Sequence, residues 1–515
     1  MLTFDDIIDS FSRVNPKKIV IADDRRFLSY YDLQRNGYNL AAFLNKQKIV
    51  KGDRVAFLAY NRVEFAEILY ATAKLGVIVM PINYRLSKEE ILDIIKDANP
   101  KFFLFDKSFL KIKNHLVKKF FINKNITLCI DSKFYHNVIT TLKANKLYRL
   151  KKSIKTDRWS IMYTSGTTGM PKGVIRDHNG YYYLSAITSI ELKIKKSDKA
   201  LLVMPLFHAN SFNFFCAYIF SGASVFIYSK KSFDSKYFFY VLNKFKCTFT
   251  SLVPTHFIII LDYLKKINKN NIINREFNFM ISSAPVRKDT KKSILKFFKS
   301  ANLFELYGSS ESGWVTMLHP DEQFSNLGTV GKECIGSKAI KIMNEKLEEV
   351  SDGTIGELYA STPYNFLGYW KNKKKTDDAF FKDFVSVGDL AFRDKNGYIV
   401  LVDRKTNMII SGGENIYPSE VENILGNHNF IKDVAIVGYP DKKWGEIVCA
   451  FVVLHQGFEI SEFNLIEWSK KRLARYKCPK RVFFIDNNDM PRNASGKILH
   501  KNLKEKVYNL ISYNE

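Results

Sequence analysis

At 515 residues, with 46% hydrophobic and 25% charged residues, the chain is long enough for several packed units and too apolar to be disordered. Its formal charge of +27 arises from 79 Lys and Arg against 52 Asp and Glu, but the lysines are scattered (111–124, 193–199, 265–269, 371–375) instead of forming one stripe. That spread argues against nucleic-acid binding as the main function, leaves room for peripheral membrane association, and suits attraction of anionic small molecules.

The six cysteines form no C-x-x-C pair and have no zinc-like spacing, so reduced, buried thiols are expected. The N-terminus begins acidic, Met1-Leu-Thr-Phe-Asp-Asp, without the basic and apolar regions of a signal peptide, and a cytoplasmic location is expected. The apolar stretch Phe212 to Tyr228 is broken by Asn213 and by Ser221-Gly222 and falls short of the ~20 residues of a membrane span. It reads as a buried helix to about Phe220, a glycine turn and a strand from Ser224 to Tyr228.

From the N-terminus the pattern alternates. Tyr30 to Leu44 has helical spacing, Asp53 to Leu58 reads as a strand, Arg62 to Leu75 as a helix and Val77 to Met80 as a strand ending at Pro81. This βαβ rhythm predicts an α/β fold with doubly wound subdomains and ligands at the carboxyl ends of strands. Apolar runs at Trp159–Met162, Ala200–Pro205, Thr248–Pro254, Phe279–Ala284 and Leu303–Gly308 continue it, each stopping at a Pro, Gly or small-residue turn that carries polar groups. Near residue 403 the character changes. A turn at Asp394-Lys-Asn-Gly397 and a strand to Val402 lead into the charged connector Asp403-Arg-Lys-Thr-Asn407. Beyond it a small α+β module is expected, with a helix Pro418–Leu425, strands Asp433–Val437, Ile447–Val453 and Val482–Ile485, and a helix near Leu465–Ala474. The expected division is 1–402 as the large domain, 403–407 as connector and 408–515 as the C-terminal domain.

The stretch Tyr163-Thr-Ser-Gly-Thr-Thr-Gly-Met-Pro-Lys-Gly-Val174 combines hydroxyls, glycines and one lysine after a strand. Glycines let backbone N–H groups approach phosphate oxygens while the lysine supplies charge. Its order is not that of a Walker A loop, because Pro171 precedes Lys172 and Gly173 follows it. Five further polar positions suit a nucleotide. Ser283-Ala284-Pro285 is small enough for a flat ring to lie on, and Tyr307, in Glu305-Leu-Tyr-Gly308, can stack on a purine. Ser310 and Glu311 offer hard oxygens to Mg²⁺ on phosphates. Asp389 can accept from ribose hydroxyls, and Arg404 can donate to ribose or phosphate.

The series Thr164–Gly173, Tyr307-Gly-Ser-Ser-Glu311, Gly368-Tyr-Trp370, Gly388-Asp-Leu390, Asp403-Arg404, Ser411-Gly-Gly-Glu-Asn-Ile416 and Pro491-Arg-Asn-Ala-Ser-Gly-Lys497 resembles the adenylate-forming superfamily, in its acyl-CoA synthetase branch. The similarity runs from about residue 5 to residue 505. It implies a large N-terminal domain with a small mobile C-terminal lid, and a two-step reaction. A carboxylate attacks the α-phosphate of ATP to give acyl-adenylate and pyrophosphate, and the thiol of coenzyme A then displaces AMP. The resemblance implies ATP and coenzyme A as cosubstrates and Mg²⁺ as metal, with a carboxylic acid as the small-molecule partner and a monomer or homodimer as the assembly.

It further implies roles. Thr164, Ser165, Gly166, Thr167, Thr168, Gly169 and Lys172 hold the β- and γ-phosphates, with Glu311 and Thr168 at the metal. Ser283, Ala284, Pro285, Glu305, Tyr307, Gly308 and Ser310 frame the nucleotide, and Asp389 and Arg404 take the ribose. Lys497 bridges the substrate carboxylate and the α-phosphate. Ser411, Gly412 and Gly413 close the pantetheine tunnel, where residues without side chains leave room for a thin tether. His208 stands as a gate between acyl and thiol channels. Three positions depart from the usual pattern: Thr406 where Asp or Lys is common at the hinge, Ser310 for the usual Thr, and Glu305 where an amide or Asp contacts the adenine amino group. The acyl pocket, expected from Phe212, Phe214, Val253 and Trp314, suggests an apolar medium- to long-chain fatty or aryl acid. A carnitine- or crotonobetaine-like acid, or loading of a carrier protein in trans, is the alternative.

Overall fold

The computed structural model describes residues 2–119, 126–141, 153–164, 171–268, 273, 275–493 and 496–512. The chain divides into two compact units: residues 1–327, 333–339 and 360–385 form the first, and residues 328–332, 340–359 and 386–515 the second.

The first unit holds two twisted α/β sheets. One runs, in hydrogen-bonded order, Gly313–Leu318, Ala301–Ser309, Phe277–Ser282, Phe249–Leu252, Lys199–Leu202, Ser224–Ile227, Ile19–Ala22 and Phe27–Ser29. Its inner strands are parallel, as the alternating helices require, and only its two end pairs are antiparallel. The other runs Gly368–Tyr369, Lys172–Asp177, Arg158–Thr164, Ile78–Pro81, Arg54–Leu58, Phe102–Phe105 and Thr127–Cys129.

Side chains alternate across these strands. Ala200, Leu202, Val225, Ile227 and Met280 face one core, into which Val55, Phe57 and Val79 of the second sheet also point. Leu201, Phe226, Phe279 and Ile281 face a second core beneath the helices Ser235–Lys244, Pro254–Lys266 and Lys288–Phe297. Ala56, Leu58, Ile78 and Met80 face a third. Burial on both faces explains why these strands read as continuous apolar runs rather than alternating ones.

The apolar stretch read as a buried helix and a strand is the helix Ala209–Phe220 followed by the strand Ser224–Ile227, both largely buried. No helix among the described residues is long and apolar enough to cross a membrane. All six cysteines are free, and all but Cys129 are buried.

The second unit has an antiparallel sheet of Lys341–Met343, Gly356–Tyr359, Asp389–Arg393 and Ile399–Arg404. Its other sheet pairs Ile431–Asp441 with Gly445–Leu454, flanked by Ile409–Ser411, Glu414–Ile416 and Arg481–Phe484. The helix Pro418–Leu425 begins with proline at its first position, where no N–H is needed. Asp403 and Arg404, read as connector, are the last residues of a strand. The Asp403 carboxylate accepts from Asn407 Nδ2 at 3.2 Å and from the Ser419 N–H at 2.8 Å, which ties residues 403–407 to the start of that helix.

Candidate active site

In the first unit the strands Arg158–Thr164 and Lys172–Asp177 pair so that Thr164 stands opposite Lys172. Ser165, Gly166, Thr167, Thr168 and Gly169 lie outside the described residues. The Lys172 ammonium lies 5.0 Å from the centroid of the Tyr369 ring, a cation–π contact. The Tyr369 hydroxyl in turn donates to Glu311 Oε1 at 2.8 Å. One tyrosine therefore orients both the loop lysine and the buried carboxylate. Gly173 is glycine for packing, since a Cβ there would meet Ile161 at 2.8 Å.

Glu311 sits at the tip of a hairpin between Ala301–Ser309 and Gly313–Leu318. Arg176 braces the tip from below, donating to the Ser310 carbonyl at 2.7 Å and to the Tyr364 carbonyl. The hairpin is tight at Gly308, where a Cβ would stand 2.1 Å from the Gly313 carbonyl oxygen. On the neighbouring parallel strand, Ser282 pairs with Leu306, which brings the turn Ser283-Ala284-Pro285 beside Tyr307. Ser283 takes φ +69°, the left-handed region, where the strand ends abruptly. Ser283 and Pro285 are exposed and Ala284 and Tyr307 half-buried, so the turn and the ring present open faces. Glu305 is more enclosed: its side chain is 10% exposed and its Oε2 forms a buried ion pair 2.5 Å from Lys291 Nζ.

His208 immediately precedes the helix Ala209–Phe220, makes no side-chain hydrogen bond to it, and packs on Phe207 at 4.5 Å between ring centroids. Burial, then the nearby Arg85 guanidinium, pushes it down to about 4, so it is neutral near pH 7. Just inside, Asn210 Nδ2 donates to Ser282 Oγ at 2.9 Å, and Ser251 Oγ lies 3.4 Å from the same hydroxyl. His208 Nε2 and Asn210 Oδ1 are buried and have no hydrogen-bond partner among the described residues. Phe212, Phe214 and Trp314, expected to line an acyl pocket, belong to the core instead. Phe212 packs against Phe65, Trp159 and Tyr181, and Phe214 against Phe249 and Trp314. Trp314 Nε1 donates to Thr188 at 2.8 Å. Phe212 and Phe214 are packed against core rings, which leaves neither ring free to line a ligand pocket.

The buried histidines make stability depend on pH. His178 is pushed down to about 3 and His208 and His256 to about 4, in each case chiefly by burial, from an ordinary value of 6.5. The unfolded chain binds protons at these sites before the folded one does, so stability rises with pH from about 4 to 6.5 and is lost as pH falls through that window. Urea midpoints measured between pH 7 and 4 are expected to fall. His256→Phe, which keeps the stack on Phe233, is expected to shallow that fall, and an unchanged pH slope would contradict the assignment.

The second unit gathers a charged cluster. Asp389 and Arg404 are register partners on adjacent antiparallel strands and form an ion pair, Oδ1 to Nε 2.9 Å. Lys497 closes a turn in which its N–H donates to Asn493 Oδ1 at 2.9 Å and its carbonyl accepts from the Asn493 N–H at 2.8 Å. Burial and the Arg404 charge lower the Lys497 ammonium, while Asp389, Asp403 and Glu422 oppose them. His500, its Nε2 2.9 Å from Glu422, is lowered by burial but raised on balance by that carboxylate. Gly412 and Gly413 form the two-residue turn between Ile409–Ser411 and Glu414–Ile416, with φ +61° and +83°. A two-residue hairpin with both φ positive calls for glycine, so the turn itself accounts for both. Ser411 is buried at its edge.

Residues 8–370 match the model of the AMP-binding enzyme family, and residues 420–497 that of the AMP-binding enzyme C-terminal domain. The chain belongs to the AMP-binding enzyme family. Within the adenylate-forming superfamily its place is the acyl-CoA synthetase branch. It is 28% identical over 490 residues to a 2-succinylbenzoate–CoA ligase of Oceanobacillus iheyensis, covering 95% of this chain and 96% of that one. It is 30% identical over 485 residues to a long-chain-fatty-acid–CoA ligase of Mycobacterium tuberculosis, covering 93% of each. Its fold resembles that of the o-succinylbenzoate CoA synthetase of Bacillus subtilis in complex with its acyl-adenylate intermediate, with TM-score 0.85, 27% identity and 97% of each chain covered.

Family membership gives a context to residues that sequence reasoning passed over. Tyr369 lies inside the quoted Gly368-Tyr-Trp370 run, but its link between Lys172 and Glu311 is a tertiary contact with no local signal. Arg176 and Lys291 carry no motif at all.

Proposed function

We propose that this enzyme joins carboxylic acids to coenzyme A through an acyl-adenylate, and that its acid is a compact aromatic acid bearing a second oxygen function. The observation that carries the choice of acid is the buried Asn210, Ser251 and Ser282 array beside neutral His208, with Phe212 and Phe214 turned into the core. Buried polar atoms without partners are costly: Asn210 Oδ1 only accepts and is relieved by a substrate hydroxyl, while a neutral His208 ring protonated at Nε2 can donate to a substrate oxygen, and a plain alkyl chain does neither. The 2-succinylbenzoate ligases among the relatives support the same class.

In the first half-reaction the acid's carboxylate oxygen forms a bond to the α-phosphorus, and the bond to the pyrophosphate leaving group breaks. Two anions must meet, so charge neutralisation is the main requirement. Lys172 is assigned to the β- and γ-phosphates, positioned by the Tyr369 ring. Glu311 and Ser310 supply the hard oxygens suited to Mg²⁺, which usually takes only one or two protein carboxylates and completes its shell with phosphate and water. A Mg²⁺ ion held there would supply neutralisation of phosphate charge. Ala284 and Tyr307 flank the adenine, Glu305 accepts from its amino group, and Asp389 and Arg404 take the ribose. Lys497 is assigned to the carboxylate and α-phosphate. In the second half-reaction the thiol sulfur attacks the acyl carbon, loses its proton and expels AMP. His208, being neutral, can separate acyl and thiol channels without holding an anion. Residues 403–407 are assigned as the hinge and 408–515 as the lid.

A second reading, a fatty acid, is favoured by the 30% identity to the mycobacterial ligase. Pyrophosphate release from ATP with benzoates, oxo-substituted aryl acids and C8–C16 fatty acids separates the two. Aryl acids with a second oxygen are expected to give the highest kcat/KM, and Asn210→Leu to lower it for them while raising it for octanoate. Equal loss for every acid would remove Asn210 from acid selection.

A further inference from the structure

Lys291 is among the most deeply buried polar residues in the protein, with its side chain 1% exposed. It lies on the helix Lys288–Phe297, whose other buried residue is Ile294. Ile294, Phe279, Phe298 and Leu303 belong to the apolar core beneath that helix. An unpaired ammonium buried in such surroundings is strongly disfavoured, and removing the partner of a paired one leaves that penalty uncompensated. Its partner is Glu305, two residues before Tyr307 on a strand whose alternate residue Leu303 faces the same core. The pair is exclusive on its buried side. Lys291 Nζ and Glu305 Oε2 stand 2.5 Å apart, and neither atom has another polar partner among the described residues.

Burial raises the Glu305 carboxyl above its ordinary value, and the Lys291 charge works against that rise. Without the lysine, the enclosed carboxyl loses the charge that opposes that rise, and its protonated form is favoured further. The distinction matters for recognition, because an ionised carboxylate only accepts hydrogen bonds whereas a protonated one also donates. The adenine edge nearest such a group offers an amino donor at C6; hypoxanthine offers a carbonyl acceptor at C6 and a donor at N1.

We infer that Lys291 is a positioning residue that keeps Glu305 an acceptor-only carboxylate, and that through Glu305 it selects a C6-amino purine over a C6-oxo purine. The inference rests on the proposed placing of adenine between Ala284 and Tyr307 with Glu305 at its edge. It assigns the base choice to a side chain on a helix behind the sheet, which touches no substrate.

The experiment compares acid-dependent pyrophosphate release with ATP and with inosine triphosphate in the wild type, K291M, and the double variant K291M/E305Q. The wild type is expected to prefer ATP by about 100-fold or more in kcat/KM, as sites built to hydrogen-bond a substrate group reject analogues lacking it. K291M is expected to narrow that ratio by about tenfold or more, through both a loss with ATP and a gain with inosine triphosphate. The double variant replaces a buried ion pair with neutral groups of similar volume, a change that proteins commonly tolerate. Its side-chain amide in place of the Glu305 carboxylate can both donate and accept, so the ratio is expected to narrow there too. Should K291M fail to fold by circular dichroism, the double variant decides alone. A folded variant that keeps the wild-type ratio overturns the role of Lys291 while leaving the ligase reading intact, and a wild type indifferent to the base overturns it likewise. A wild type that releases no pyrophosphate with any acid overturns the ligase reading and this inference with it.

Discussion

Lys497→Ala is expected to lose acid-dependent pyrophosphate release by about 10²–10³-fold, the usual cost of removing one preorganised stabiliser of developing charge. The same variant, given synthetic acyl-adenylate and coenzyme A, is expected to form thioester near the wild-type rate. The reason lies in its surroundings. Burial and Arg404 both oppose a positive charge on Lys497, and the carboxylates Asp389, Asp403 and Glu422 only partly offset them. An arriving carboxylate and α-phosphate add negative charge where it is short, so the ammonium is more strongly favoured with substrate present than without. That differential is what lowers a barrier. Lys497→Arg is not a conservative control, because a planar fork cannot take the place of a compact ammonium inside a turn closed on Asn493. Equal losses in the two half-reactions would refute the assignment of Lys497 to the first.

The second large effect is structural. Gly308→Ala is expected to cost roughly 3 kcal/mol or more and to abolish adenylation, although only one methyl group is added. That methyl would stand 2.1 Å from the Gly313 carbonyl oxygen and 3.3 Å from the Trp314 Cα, both backbone atoms across a hairpin. A flexible side chain could retreat, but a paired strand cannot. Relief requires opening the register between Ala301–Ser309 and Gly313–Leu318, and the tip between them carries Glu311. Gly353→Ala is the comparison: its φ of +83° is unfavourable for alanine, but a Cβ there meets nothing within 4 Å. It is expected to cost about 1–2 kcal/mol and to leave activity in place. Chemical unfolding of the two variants measures the difference, and a Gly308→Ala protein as stable as Gly353→Ala would contradict the tight hairpin.

Much of this was legible in the chain because the relevant signals are local. Strands buried on both faces appear as short apolar runs, and their ends at Pro205, Pro254, Ser283 and Gly308 mark the polar turns. The helix Pro418–Leu425 is announced by its proline. What stayed hidden depends on contacts between distant residues. Phe212 and Phe214 are aromatic whether they meet a ligand or a core, and only packing against Phe65, Trp159 and Phe249 decides it. Glu305 could be read as an adenine contact from its place before Tyr307, but nothing nearby in sequence announces that a lysine from the preceding helix is its counter-ion. Gly412 and Gly413 show a third kind of gap. A glycine pair suits a narrow tunnel and a two-residue hairpin alike, and the hairpin becomes visible only in the positive φ values.

The most direct test offers the wild-type enzyme ATP, Mg²⁺, coenzyme A and an equimolar mixture of benzoate, an oxo-substituted aryl acid, octanoate and palmitate, with the acyl-CoA products resolved by mass spectrometry. The expected result is AMP formation matched one to one by thioester, with the oxo-substituted aryl-CoA in excess. Palmitoyl-CoA in excess would contradict the reading of Asn210, Ser251 and Ser282 as an acid-selecting array, and AMP without any acyl-CoA would contradict transfer to coenzyme A itself.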